Sequence, residues 1–139
     1  MYSDDSSPQH LSQGECLRLM ASVPVGRIIY TRQAMPAVEL VNFALDHGDI
    51  IVRTEHSGTL AAATRGTVVA FQADSVHPSG QASWSVTVIG QSHEVTDAEE
   101  ISRLERIGIS SWAPGGHERF IRISPGILSG RQLCALTAS

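Results

Sequence analysis

The sequence contains no lysine, since all ten of its basic residues are arginine. No lysine can therefore act as a Schiff base, a general base or a phosphate ligand. The formal charge is −4 and no basic patch stands out, which argues against nucleic acid as the main partner. No apolar run approaches the roughly 18 residues of a membrane span, and the polar, acidic N-terminus lacks the features of a secretory signal.

Cysteine is also scarce. Cys16 and Cys134 lie far apart without a CxxC spacing, which favours two reduced thiols in a cytoplasmic protein. The six histidines form no pair at a metal-ligand spacing, so no metal site is predicted, with a site assembled from distant histidines as the alternative. The GxSxG, GxGxxG and P-loop motifs are absent, which excludes the serine-hydrolase, Rossmann and nucleoside-triphosphate interpretations.

The length of 139 residues and the hydrophobic content of 42% suit one packed domain. Residues 1–10 are polar and acidic and are expected to be a disordered tail, so the domain is predicted to span residues 11–139. About seven strands and three helices are predicted, at hairpin spacing and without βαβ alternation. This pattern indicates a mainly β fold, an antiparallel barrel or curved sheet with helices at its ends.

The element boundaries follow from alternation and from capping residues. Ser12 and Asp97 are typical N-caps, and each is expected to begin a helix. A short Ala-rich helix is expected soon after Ser57. Residues 32–36 are predicted as a hairpin loop, and Gly90 as a bulge. The strands are expected at residues 25–31, 37–45, 50–54, 67–74, 83–95, 118–123 and 127–136, with a break at 124–126 between the last two.

The stretch at residues 50–66 collects the groups that an anion needs. A buried strand is expected to end at Arg53 and Thr54, and the chain then passes through Ser57, Gly58 and Thr59 into the short helix. A fixed positive charge, hydroxyls and free amides at a helix start suit a phosphate. In the alternative, Arg53 pairs with Glu55 or another acid and Ser57 only caps the helix. The spacing leaves both interpretations open.

The only two tryptophans, Trp84 and Trp112, both lie next to predicted loops, and Ser85 follows the first of them. A tryptophan beside a polar loop can stack on a planar ring, although it more often packs in a core or an interface.

The order of these segments resembles that of the pyridoxamine 5′-phosphate oxidase-like, FMN-binding split-barrel family, in its small actinobacterial-type members. The resemblance covers nearly the whole chain beyond residue 11. Six segments carry it: VGRIIYT (25–31), PAVELVNFALDHGDIIVRT (36–54), SGTLAAATRGTVVAFQAD (57–74), SWSVTVIGQSHEVTD (83–97), SWAPGGHERFIRISP (111–125) and SGRQL (129–133).

The resemblance implies a six-stranded antiparallel split β-barrel that forms a homodimer with flavin sites at the subunit interface. The flavin ring would lie along one strand, and the phosphate would sit where the next strand meets the short helix. The strand around Trp84 and Ser85 would approach the site, often from the other subunit, and Trp84 and Trp112 would form a lid. The implied ring contacts are Val38, Glu39, Leu40, Val41 and Asn42. The implied phosphate contacts are Arg53, Thr54, Ser57, Gly58, Thr59 and Leu60.

The function that the resemblance implies is a flavin-dependent oxidoreductase that acts on a small molecule, with FMN as the expected cofactor and no catalytic side chain identified. Family members usually carry a lysine where this chain has Thr59, and losing that cation removes a charge-assisted contact worth about 1.5–3 kcal/mol. The alternatives are therefore a non-catalytic carrier of a flavin, a deazaflavin or haem, or a family member without a cofactor.

Overall fold

The structure, a computed structural model, describes residues 9–55, 64–110 and 118–133. In these ranges the chain forms seven strands and two helices. The strands are β1 (Gln9–His10), β2 (Val25–Arg32), β3 (Met35–Asp46), β4 (Asp49–Glu55), β5 (Thr67–Ser75), β6 (Ser83–Glu94) and β7 (Glu118–Leu133), and the helices are α1 (Gln13–Met20) and α2 (Ala98–Glu105).

The strands are antiparallel and six of them close into a ring. The sheet order is β1-β7-β4-β3-β2-β5-β6, and a further pairing of β6 with β7 joins its two ends. β1 adds to the C-terminal half of β7, where Gln9 pairs with Gln132 and His10 with Arg131. The predicted mainly β fold, a six-stranded antiparallel split barrel, is confirmed. Gln9 and His10, which were expected in the N-terminal tail, belong to this sheet.

Alternate residues of each strand fill the barrel with apolar side chains. Phe43 and Phe71 meet edge to face with ring centroids 4.8 Å apart. Helix α1 covers one end of the barrel and buries Cys16 and Met20 in the same core. Burial raises the pKa of the Cys16 thiol. The predicted cap is confirmed, because the Ser12 side chain accepts a hydrogen bond from the backbone N–H of Glu15.

Helix α2 packs against the outside of the barrel. The Asp97 side chain caps it by accepting from the backbone N–H of Glu100, as predicted. Its buried Leu104 joins a second apolar cluster with Ile51 of β4 and Phe120 of β7. The helix therefore shields the outer side of β4 and of the neighbouring half of β7. Neither helix in the described ranges is long and apolar enough to cross a membrane.

An ionic cluster also fastens α2 to the barrel. Arg122 on β7 donates to Asp46 at 2.8 Å, to Asp49 at 3.0 Å and to Glu100 on α2 at 2.7 Å. Arg103 on α2 donates to both carboxylate oxygens of Asp46, at 2.7 and 3.0 Å. The Arg103 guanidinium is the main cause that holds the pKa of Asp46 well below its usual range, and Arg122 adds to it.

The hairpin predicted at residues 32–36 is present, but its loop is shorter than predicted. β2 and β3 continue through it and are joined by Gln33 and Ala34 alone, with φ angles of 52° and 63°. Two successive positive φ values are typical of the tight turn that matches strand twist. This turn lacks the usual Asn-Gly signal. The next turn carries it in part as His47-Gly48, whose φ angles are 51° and 86°.

The predicted break at residues 124–126 is wrong, because β7 is one strand of 16 residues. Gly90 of β6 lies opposite Pro125 and Ile89 lies opposite Ile127, so the register shifts here. A bulge is therefore present at the predicted point, but the extra residue belongs to β7 and not to the strand of Gly90. The bulge accommodates the proline and the extra residue, Gly126, without interrupting the pairing of β6 with β7.

Candidate functional site

The strand predicted to hold a flavin ring exposes apolar side chains on its outer face. Val38 and Leu40 are 59% and 55% exposed, whereas Val41 and Asn42 are buried. The Glu39 carboxylate accepts a hydrogen bond from the Tyr30 hydroxyl at 2.6 Å. Burial, and then this bond to Glu39, raise the pKa of Tyr30 to about 12. Val38 and Leu40 can therefore contact a planar ligand, while Glu39 already has a partner.

This strand also has an open backbone edge. β3 pairs with β2 from Met35 to Asn42, but its pairing with β4 begins only at Asn42. In an antiparallel strand, every second residue turns its N–H and C=O toward the other neighbour. In the described part of the chain, no strand pairs with residues 35–41 on that side. Backbone donors and acceptors are thus available beside Val38 and Leu40, and they fit the polar edge of a flavin ring.

Arg53 lies next to this strand, because it is the register partner of Asn42. Its guanidinium donates to Glu118 through Nε at 3.0 Å and Nη2 at 2.7 Å, and through Nη1 to the Ile109 carbonyl at 2.6 Å. It also stands 5.7 Å from the centre of the Phe120 ring. The side chain is 23% exposed, so its position is fixed but one side remains accessible.

These contacts test the two interpretations of Arg53, as a phosphate ligand or as the partner of an acid. A paired acid is present, as in the alternative, but that acid is Glu118 from β7. An accessible arginine held rigidly at a strand end remains a suitable phosphate ligand, with part of its charge neutralised. Glu118 and Ile109 are distant in sequence and carry no motif. Only the register of β4 with β7, which places Glu55 opposite Glu118, could have indicated this partner.

Several predicted contacts lie outside the described residues: Ser57, Gly58, Thr59, Leu60 and Trp112. Thr54 is half-buried at the end of β4. Trp84 is 6% exposed and its side chain belongs to the main core, which agrees with the packing interpretation. Any contact of Trp84 with a ligand would have to come from its backbone or its remaining exposed edge. Ser85 points to the opposite, outer side of β6.

The outer face of five strands is left uncovered by either helix in the described ranges. It runs from β3 through β2, β5 and β6 to the C-terminal half of β7. One row across it pairs Val38 with Ile29, Ile29 with Ala70, Ala70 with Ile89 and Ile89 with Ile127. Six large apolar residues on this face are 40% to 60% exposed: Val38, Leu40, Val68, Ile89, Ile127 and Leu133. We call this surface the open face.

The chain matches known proteins over most of its length. Residues 12–132 match the family model described as Pyridoxamine 5′-phosphate oxidase. The uncharacterized protein Rv0080 of Mycobacterium tuberculosis is 35% identical over 130 residues, which cover 90% of this chain and 85% of that protein.

Solved structures agree with this match. An FAD-binding protein from Mycobacterium smegmatis has a TM-score of 0.80 at 27% identity, covering 91% of this chain and 98% of its own. A protein of Corynebacterium glutamicum described as a putative pyridoxamine 5′-phosphate oxidase has a TM-score of 0.83 at 27% identity, covering 94% and 96%. An FAD-binding protein from Mesorhizobium loti has a TM-score of 0.74 at 25% identity, covering 90% and 97%.

Proposed function

This chain belongs to the pyridoxamine 5′-phosphate oxidase family, and we propose that it is a flavin-dependent oxidoreductase that acts on a small molecule. The observation that carries the proposal is the combination of exposed apolar side chains and open backbone edge on residues 38–41 of β3, beside the fixed guanidinium of Arg53. Relatives with the same fold over their full length bind a flavin according to their names.

In this proposal the flavin ring lies along β3, with Val38 and Leu40 against its face and the backbone of Val38 to Asn42 at its polar edge. The phosphate is held by Arg53 and Thr54, together with Ser57, Gly58, Thr59 and Leu60. A bound flavin would supply the two-electron chemistry. The chain's own side chains bind the cofactor, orient it and exclude water, and no side chain is assigned as a general acid or base.

The choice between FMN and FAD rests on the phosphate contacts. FMN is the expectation from the family resemblance, but Thr59 replaces a cation and Glu118 neutralises part of the charge of Arg53. Both features weaken the hold on a single terminal phosphate. The two relatives named for FAD favour the dinucleotide, which carries a second phosphate and an adenine that can add contacts. Either flavin satisfies the proposal.

Flavin binding is tested by titrating the purified protein with FMN and with FAD while following flavin fluorescence and absorbance. We expect binding with Kd below about 100 μM, and a loss of about tenfold or more in Arg53→Gln because one charge-assisted contact is removed. Arg18→Gln is the control, since Arg18 is exposed on α1 and has no ion pair within the described ranges. Bleaching of the bound flavin by NADH or NADPH would support the oxidoreductase.

Other outcomes separate the rival functions. Flavin bands that no reductant bleaches would support a non-catalytic carrier, and a Soret band after addition of haem would support a haem protein. If neither FMN nor FAD binds at about 100 μM to protein shown to be folded by circular dichroism, the flavin proposal is wrong.

The open face supports a homodimer, because apolar side chains spread over five neighbouring strands favour burial against a second copy. We expect light scattering to give about twice the monomer mass of 14.9 kDa. Ile89→Glu should shift the protein to monomer, since it places a charge in the centre of this surface. Ile107→Glu is the matched control, because both isoleucines are 40% exposed but Ile107 follows α2. A dimer that withstands Ile89→Glu would contradict this interface.

A further inference from the structure

The open face contains a polar pocket of about 270 Å³ beside its apolar row. Strand register creates it, since Gln72 pairs with Thr87, Thr87 with Ser129, and Ser85 with Arg131. Side chains of directly opposed residues project from the same side of a sheet about 5 Å apart. The lining thus combines one amide, three hydroxyls and one guanidinium from three strands: Gln72, Ser85, Thr87, Ser129 and Arg131, with the backbone of Gly130.

Arg131 gives the pocket an uncompensated positive charge. In the described part of the chain, no carboxylate lies within 4.0 Å of its guanidinium, and the lining contains no Asp or Glu. The nearest acid in its row, Asp74, sits two strands away and already pairs with Arg27 at 3.0 Å. On its other side, Arg131 has His10 of β1 as its register partner, which is also not an acid.

Such a set of groups matches anionic oxygens. A guanidinium gives paired N–H donors in a plane, and the hydroxyls and the amide can each donate one more hydrogen bond to the same group. An arginine on a solvent-exposed sheet face usually pairs with an acid, as Arg27 does with Asp74 in this region. Arg131 instead lies among side chains that can donate hydrogen bonds. The pocket is also concave, so a bound anion would lose part of its water.

We propose that this pocket binds the phosphate or carboxylate group of a small molecule, with Arg131 as its principal ligand. The inference deepens the proposed function and rests on it in one respect, namely that the anion belongs to a molecule that meets the flavin. Register places the pocket near the proposed ring strand, because Gln72 pairs with Arg27 and Arg27 with Leu40. Two strand spacings of about 4.8 Å separate Gln72 from Leu40, or roughly 10 Å.

The pocket is tested with inorganic phosphate and with acetate as probes, by following the amide signals of the full chain in ¹⁵N-labelled NMR spectra. We expect saturable shifts at Ser85, Thr87 and Arg131 below about 50 mM of probe, and at least about tenfold weaker binding in Arg131→Gln. Arg131→Lys keeps the charge but loses the planar pair of N–H donors, so its affinity should lie between those of the wild type and Arg131→Gln. Arg106→Gln, at the end of α2 on the covered side, should bind like the wild type.

Two results would contradict the proposal that this pocket binds an anion. One is the lack of saturable shifts at these amides in folded wild-type protein, and the other is equal affinity in the wild type and Arg131→Gln. Because Arg131 is exposed, the substitutions should leave the melting temperature unchanged, which a thermal scan verifies.

A flavin titration of the same variants identifies the source of the anion. If Arg131→Gln weakens FAD but not FMN, the pocket holds the second phosphate of the dinucleotide. If both flavins bind Arg131→Gln normally while phosphate does not, the pocket serves a separate anionic substrate. If the wild type binds phosphate here but no flavin, the flavin proposal is wrong and the anion-binding proposal is supported. The experiment therefore distinguishes the failure of one proposal from the failure of the other.

Discussion

Gly90→Ala should lower the stability of this protein by about 3 kcal/mol or more, or prevent folding. A Cβ at residue 90 would overlap the carbonyl oxygen of Ser124 on β7 and lie 2.9 Å from its carbonyl carbon and 3.1 Å from the amide nitrogen of Gly126. These atoms are backbone, so no side-chain rotation relieves the contact. Moving them would separate β6 from β7 at the bulge that closes the barrel.

The measurement is a thermal scan of three glycine variants. For Gly90→Ala we expect a fall of about 10 °C or more in Tm, or insoluble protein. Gly126→Ala, whose Cβ would lie 3.3 Å from the Ile89 carbonyl oxygen, should have an intermediate effect. Gly14→Ala in α1 meets no heavy atom within 4 Å in the described ranges and should be neutral or stabilising by up to about 1 kcal/mol. If the three variants melt alike, the close approach is not real.

Arg122→Met should destabilise the fold by about 3–5 kcal/mol, because it removes a cation that contacts three carboxylates. Asp46 is only 8% exposed and would keep Arg103 as its one permanently charged partner within the described ranges, while Asp49 and Glu100 would lose their bonds to Arg122. Three acids near one remaining arginine repel each other in a partly buried site. Chemical denaturation at pH 7 measures the loss. A change below about 1 kcal/mol would show that the cluster contributes little.

The same cluster predicts how stability depends on pH. The pKa of Asp46 is held below its unfolded value, so its stabilising contribution is complete above that value, about 4, and is lost as pH falls through it toward the folded pKa. The wild type should therefore lose stability on acidification below pH 4. Arg122→Met should lose less over the same range, because its Asp46 has already lost part of this contribution.

A matched control separates the cluster from general charge effects. Arg106→Met removes the same charge from the end of α2, where no ion pair lies within the described residues. This substitution should change the unfolding free energy by no more than about 0.5 kcal/mol, both at pH 7 and below pH 4.

The sequence predicted most of the barrel, because each of its strands alternates between a core side and an outer side. Residues 83–95 show this best, and β6 follows them to within one residue. Two of the errors involve local geometry that depends on a neighbouring strand. Gln33 and Ala34 adopt positive φ although neither residue favours it, and Pro125 stays within β7 because β7 bulges at Gly126, opposite Ile89 and Gly90. The local sequence indicates neither the tight turn nor the bulge.

The sequence predicted less of the candidate site than of the fold. The resemblance supplied residues 38–42 and Arg53, but the open backbone edge of β3 depends on where β4 stops pairing with it. Likewise, Glu118 holds Arg53 and Arg131 joins Ser85 only because β7 lies beside both β4 and β6. Isolated serines, threonines and arginines on three separate strands give no motif. Register, which long-range packing determines, makes them one surface.

The position of β7 also has a consequence for how the chain folds during synthesis. β7 pairs with β4 on one side and with β6 on the other, and it is the last of the six barrel strands to leave the ribosome. Until it emerges, β4 and β6 both present unpaired edges that can recruit strands of another chain. The barrel therefore closes in one late step that joins residues far apart in sequence. Topologies of this kind fold slowly, so nascent chains of this protein should depend on protection from aggregation.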